Sequence, residues 1–143
     1  MKIVKGKHIG VYGVIENDNK IVLIKKARGG YLGKLDLPGG GMEYAEEAFE
    51  TLKRELREEV GVVVKKGTLL DVKTNTIKWQ METDTIEDLY HIGILYKIDD
   101  FSGDIKTTPD GIDSLGANWY EINKLDLENL TPFAKFVISK YYK

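Results

Sequence analysis

The chain has no cysteine and only two histidines among its 143 residues. Disulfides and thiolate metal sites are therefore excluded, and a reducing cytoplasm is the compartment expected. No stretch approaches the roughly 20 apolar residues needed to cross a bilayer, so no membrane partner is expected. The opening "MKIVKGKHIGVYGVI" carries positive charge without a long apolar run and does not read as a signal peptide. Strong basicity is also lacking. A formal net charge of −2 leaves no electrostatic footprint for polymeric nucleic acid. There is no repeat, no low-complexity tract and no linker rich in proline, glycine or serine. One domain over residues 1–143 is expected, long enough to enclose a single sizeable core.

What is present is patterned. "HIGVYGVIEND" and "NKIVLIKKA" read as two strands around a polar turn at Asn17, Asp18 and Asn19. "RGGYLGKLDLPGGG" reads as a glycine-rich loop. A helix is expected from Ala45 to Val60, stopped by Gly61. "TLLDVKTNTIKWQ" and "DLYHIGILYKI" read as longer strands joined by the acidic loop "METDTIED". "FSGDIKTTPDGIDS" reads as loop and "GANWYEI" as a short strand. "TPFAKFVISKYY" reads as a closing helix with Thr131 as N-cap and Pro132 at its first position. The expected class is α/β, a mixed sheet held between helices.

The central helix carries an anomaly. On a wheel of about 100° per residue, Ala45, Phe49, Leu52 and Leu56 form an apolar stripe bordered by Ala48. Glu59 falls inside that stripe, Glu55 at its edge and Glu58 just beyond. Three carboxylates one turn apart repel one another, lie beside a core, and sit at the helix end that disfavours anions. Arg54 and Arg57 project to other sides of the wheel and compensate only in part. From Gly40 to Val62 there are seven glutamates against three basic residues, −4 in all, which leaves +2 for the remainder. A solvated, ion-paired helix face accounts for Glu46 and Glu47 in the first turn, but not for Glu55, Glu58 and Glu59. A hard divalent cation would answer all three objections. Oxygen ligands without histidine or cysteine point to Mg²⁺ or Mn²⁺.

The spacing from Gly40 is Gly, five residues, Glu46, seven residues, then Arg54-Glu55-Leu56-Arg57-Glu58-Glu59-Val60-Gly61-Val62. This stretch resembles the Nudix box with every signature position filled, and the flanking element order resembles the Nudix fold, an α/β/α sandwich. The resemblance implies a divalent-metal-dependent hydrolase that cleaves a diphosphate linkage of a nucleoside diphosphate joined to another group. Glu55, Glu58 and Glu59 match the family's metal-binding and catalytic glutamates, and the carbonyl of Gly39 matches a further ligand. Glu46 and Arg54 match bracing positions, Arg54 being counted with the catalytic set. The family's general base matches either Glu55 or an acidic residue on a later loop. Glu82, Asp84, Glu87, Asp88, Asp110 and Asp113 all remain open for the second choice. A catalytically idle nucleotide-sensing domain is the alternative, against which the intact glutamates argue.

For the substrate, Lys34 and Arg28, with Lys25 and Lys26, are candidates for phosphate contacts. The glycines around Gly40 allow close approach of backbone to phosphate. Tyr31, Trp79, Tyr90, Trp119 and Tyr120 can stack a base, although most are expected in packing. His8 and His91 lie on strand patterns without a sequence neighbour to act with, and are expected to be structural. The proline that marks ADP-ribose members of the family is missing, as are the NADH and coenzyme A markers. What remains resembles the small MutT-like members acting on nucleoside triphosphates or similar nucleotides. Dimers are common in this family, which makes a homodimer an expectation here.

Overall fold

The computed structural model describes residues 1–111 and 114–143. In chain order the elements are β1 (Lys2–Val14), β2 (Glu16–Asn17), β3 (Lys20–Lys26), β4 (Leu35–Asp36), β5 (Gly39–Gly41), α1 (Ala48–Glu59), β6 (Val63–Glu82), β7 (Thr85–Ser102), β8 (Ser114–Glu121) and α2 (Pro132–Tyr141). Short 3-10 turns at Ile122–Lys124 and Leu127–Asn129 lead into α2. One sheet runs β5-β1-β7-β6, with β1 and β7 parallel and the outer pairs antiparallel. In the other, β3 pairs antiparallel with β2, β4 and β8.

Side-chain alternation makes this a layered α/β/α sandwich, as expected. Tyr12 and Val14 of β1, Ile21 and Leu23 of β3, and Leu95 of β7 pack against Phe133, Ala134, Val137 and Ile138 of α2. Their neighbours Val11, Ile15, Val22, Ile24 and Ile98 pack against Leu52, Leu56 and Val60 at α1. Strands buried on both faces read as continuous apolar runs, and "IVLI" in β3 is such a run.

Several boundaries differ from the sequence reading. Strand β1 starts at Lys2 rather than His8, because its lysine-rich first half is held by parallel pairing with β7. The supposed first strand of the hairpin breaks at Ile15, where the chain passes from one sheet to the other. The turn itself is as expected, with φ of 52° at Asp18 and 63° at Asn19, the pair of left-handed residues that a type I′ turn requires. "METDTIED" is not a loop: β6 and β7 continue to a two-residue turn at Thr83–Asp84. Met81 to Asp84 are exposed, and backbone pairing rather than apolar alternation makes the strands there. The glycine-rich loop contains β4 and β5. Helix α1 begins at Ala48; Ala45 is exposed, with φ 64°, and lies outside the buried stripe. Gly61 ends α1 with φ 83°, and Thr131 caps α2 by accepting from the Ala134 N–H, both as expected.

Candidate active site

The glutamates of α1 face the glycines of β5. Gly39 to Gly41 pair with Tyr12, Val11 and Gly10 of β1, which lays their backbone directly beside the last turns of the helix. The approach needs glycine: a Cβ on Gly40 would stand 2.5 Å from the Glu55 carboxylate. Glu59 lies in the apolar stripe as the wheel predicted, is 4% exposed, and accepts from the Gly39 N–H at 2.9 Å. Burial pushes its carboxyl up to about 8, against the pull of the Gly39 N–H and Lys26, with the charges of Asp36 and Glu55 adding to the rise. Glu58, by contrast, is largely solvent-exposed.

Arg54 corrects the sequence reading. Its guanidinium does not point away but folds back over the cluster. Nε donates to Glu46 at 2.8 Å, Nη1 to Glu55 at 2.8 Å, and Nη2 to the Gly41 carbonyl at 3.0 Å. Nη1 also lies 3.5 Å from Glu58. A wheel gives the direction of Cβ, whereas an arginine reaches well beyond it. Hydrogen bonding from Arg54 holds the Glu46 carboxyl down at about 2, and Thr51 Oγ1 donates to the same group at 2.6 Å. The same bonds to Glu46 push the Arg54 guanidinium further toward its charged form. Glu46 and Arg54 thus lock the loop before α1 to the helix.

The residues fit a divalent cation on three observations. The donors are all oxygens. Two carboxylates, Glu55 and Glu59, stand close enough for one to raise the pKa of the other. Glycine leaves free the volume beside Glu55 that any side chain would fill. Among the described residues, however, no three acidic or histidine side chains converge tightly enough to encage an ion. Arg54 occupies the space between Glu55 and Glu58 instead.

Beside this cluster opens a cleft of about 480 Å³. Its floor includes Gly39, Gly40 and Gly41; its walls include Tyr31, Ile77, Trp79 and Leu89; Lys26 and Arg28 bring positive charge. Asn75, Ile77 and Trp79 share the inward face of β6 by strand alternation. The Tyr31 hydroxyl accepts from the Asn75 amide, and Trp79 Nε1 donates to Glu87 at 2.9 Å. Of the expected substrate contacts, Arg28 and Gly40 line the cleft. Lys34 does not: its ammonium reaches the Glu128 carbonyl outside it. Tyr90, Trp119 and Tyr120 also lie elsewhere, which leaves Tyr31 and Trp79 as the stacking candidates.

Among the open choices for a base, Glu82 lies in β6, and Glu87 and Asp88 lie in β7; Asp84 lies at the turn joining them. Asp110 accepts from the Ser114 N–H, and Asp113 lies outside the described residues. Sequence reasoning missed three lining groups. Parallel pairing of β1 with β7 sets His8 directly opposite His91, with ring centroids 4.9 Å apart. The His91 Nε2 and the Tyr12 hydroxyl are hydrogen-bonded at 2.8 Å. Burial, with the nearby His8 and Lys26, brings the His91 imidazole down to about 4, so it is neutral at pH 7. Both histidines therefore face the cleft, although His91 is satisfied as the structural reading required. The third is Asp36, a buried carboxylate. No local periodicity signals any of the three, because strand pairing and contacts between separate elements, such as His8 with His91 and Asp36 with Thr131, place them in the cleft.

A family model described as NUDIX domain matches residues 6–141. The ADP-ribose pyrophosphatase of Methanocaldococcus jannaschii is 33% identical over 117 residues, 82% of this chain and 63% of that protein. The chain thus spans less than two thirds of that relative's length. The nucleoside triphosphatase NudI of an Enterobacter species is 31% identical over 126 residues, covering 82% of this chain and 86% of the relative. The crystal structure of a MutT NUDIX hydrolase from Burkholderia pseudomallei superposes with a TM-score of 0.76 over 94% of this chain and 98% of that one. At 24% identity that likeness speaks for the fold alone.

Proposed function

This chain belongs to the NUDIX domain family, and from that premise we propose that it is a hydrolase of nucleoside diphosphate derivatives. The observation that carries the reading is the juxtaposition of Glu55 and buried Glu59 with the side-chain-free backbone of Gly39 and Gly40. A diphosphate cannot approach bare carboxylates, since both are anionic. A divalent cation, Mg²⁺ or Mn²⁺, supplies the charge neutralisation and the lowered pKa of a bound water that this chemistry needs. Glu55, Glu58, Glu59 and the Gly39 carbonyl would hold it.

The chain's own groups do the rest. Arg54 keeps Glu55 aimed at the glycine floor and binds the preceding loop through Glu46. Lys26 and Arg28 draw the phosphates into the cleft. Tyr31 and Trp79 take the flat apolar part of the substrate, and Glu55 serves as the carboxylate that orients or deprotonates the attacking water. Nucleoside triphosphates and ADP-ribose, the substrates in the names of the two relatives, are the compounds to test first. Glu55 and Glu59 argue against a purely sensing domain, which has no need of two mutually repelling carboxylates. Pairing of two copies belongs to the same proposal: Leu69 and Val72 are exposed on the sheet-edge strand β6, and sedimentation reads the oligomeric state directly. A cytoplasmic location completes it.

The test is release of phosphate or diphosphate across a panel of triphosphates and ADP-ribose, with and without Mg²⁺ or Mn²⁺, with products identified to locate the broken bond. Metal-dependent cleavage is expected. Nucleotide binding without turnover under every metal would replace this reading with the sensor.

A further inference from the structure

Trp79 is one wall of the cleft, and the face it presents depends on where its indole lies. Two contacts fix that. The indole Nε1 donates to Glu87 Oε1 at 2.9 Å. At its root the glycine-rich loop crosses it: a Cβ on Gly30 would stand 3.3 Å from both Cβ and Cγ of Trp79 and 3.1 Å from Ile77 Cδ1. Glu87 is itself seated. Strand pairing sets it between Val4 of β1 and Trp79 of β6. Its Oε2 lies over Gly6, in the space that a Cβ there would claim. The residues lining the cleft include Trp79 but not Glu87. The opposite wall is held in the same manner, since Asn75 donates to the Tyr31 hydroxyl.

Glu87 is one of the acidic residues left open as a general base, and the strand register rules against that role. Val4, its partner in β1, lies six residues before Gly10, the partner of Gly41. At the rise of a β-strand this is about 20 Å. A base must stand within hydrogen-bond reach of the attacking water, and that water belongs beside Glu55 and Gly40. The same separation puts Trp79 at the end of the cleft that receives the group attached to the diphosphate.

We propose that Glu87 is a positioning residue: its carboxylate holds the Trp79 indole in one orientation, so that the cleft offers a ready-made stacking face before the ligand arrives. The inference rests on the nucleotide reading above. A tryptophan on a strand has several staggered orientations open to it. Stopping that motion when the ligand binds costs affinity, and a hydrogen bond already made in the empty protein removes the cost. Glycine at positions 6 and 30 is what makes the arrangement fit, one clearing room for the carboxylate and the other for the root of the ring.

Glu87→Gln keeps an acceptor for the indole N–H, whereas Glu87→Ala does not. With Mg²⁺ and ATP or ADP-ribose, Glu87→Ala should raise KM by about 3–10-fold with kcat little changed. Glu87→Gln should restore the wild-type KM. Trp119→Phe leaves Trp79 as the sole indole. In that background, time-resolved fluorescence anisotropy should show a restrained ring, set loose by Glu87→Ala and not by Glu87→Gln. Trp79→Phe keeps a flat ring with no N–H to hold, so its KM should rise as well, and adding Glu87→Ala should raise it no further. A large loss of kcat in Glu87→Gln would make Glu87 the base and overturn the assignment. An indole equally restrained in Glu87→Ala overturns it too, as does a Glu87→Ala effect that persists in full beside Trp79→Phe. Where Glu87→Ala does not fold, Trp79→Phe decides by itself: an unchanged KM overturns the proposal. The hydrolase reading fails separately, through absence of turnover on every substrate. In that event quenching of Trp79 fluorescence by AMP reads the stacking face without catalysis: weaker binding in Glu87→Ala alone supports the assignment, and equal affinity in wild type, Glu87→Ala and Glu87→Gln overturns it.

Discussion

Glu59 is a carboxylate in a place that favours a neutral side chain, and its stability should reveal this. Without metal its folded pKa, about 8, stands above the ordinary value of 4.5. Below pH 4.5 both folded and unfolded chains hold the proton and nothing is lost. Between 4.5 and 8 the unfolded chain ionises while the folded chain does not, so stability falls through that window and then levels off. Glu59→Gln should remove the fall, raising the stability of the chelator-treated protein by on the order of 2 kcal/mol at pH 8 and by little at pH 4.5. Denaturant melts across pH check this; parallel curves for the two proteins would contradict it. The same variant, and Glu58→Gln, should reduce metal-dependent turnover by at least about 100-fold, since each removes a charged oxygen from the proposed cation site. Arg54→Ala acts differently. Its guanidinium ties Glu46, Glu55 and the Gly41 carbonyl together, so melting temperature, by about 3–6 °C, and activity should fall together. An unchanged melting temperature would remove its bracing role. Glu59's burial was legible in the wheel because Cβ direction decides it. Arg54's contacts were not, because they depend on where a long side chain ends.

At the scale of elements, what could be read was what local chemistry dictates. The left-handed turn at Asp18 and Asn19, the Gly61 stop of α1 and the Thr131 cap of α2 each need specific residue types within a few positions. The long ribbon of β6 and β7 was hidden because its tip satisfies its backbone by pairing while the side chains from Met81 to Asp84 stay exposed. The same applies to β4 and β5, two and three residues long, which exist only because β3 and β1 stand beside them. One close approach between elements makes a firm prediction. Gly93 of β7 is buried, and a Cβ there would meet the Phe133 ring at 2.8 Å. Phe133 in turn packs on Tyr12 and His91. Gly93→Ala should therefore push α2 outward and cost about 1–3 kcal/mol. Phe133→Leu, costly alone, should recover part of that loss when combined with it. A double-mutant cycle with purely additive effects would show that the ring is not what the glycine accommodates.

For the whole molecule, the cleft is the product of long-range pairing: β1, the chain between β3 and β5, β6 and β7 each contribute to its lining. Periodicity reports which face of an element is buried but not which element it meets, so the box glutamates were identifiable and His8, His91 and Asp36 were not. The proposed cation would join these layers by neutralising α1 where it faces β5, and it should therefore stabilise the entire domain. Binding requires Glu59 to give up its proton. Below about pH 8 each pH unit should then tighten apparent Mg²⁺ affinity by about tenfold, with a plateau above. Melting temperature followed against Mg²⁺ concentration at pH 6, 7 and 8 measures this through the linkage of ligand to folding. In Glu59→Gln the pH dependence should vanish along with most of the stabilisation. A wild-type protein whose melting is indifferent to Mg²⁺ and Mn²⁺ at pH 8 would leave the buried carboxylate without its counter-charge, and the hydrolase reading without its chemistry.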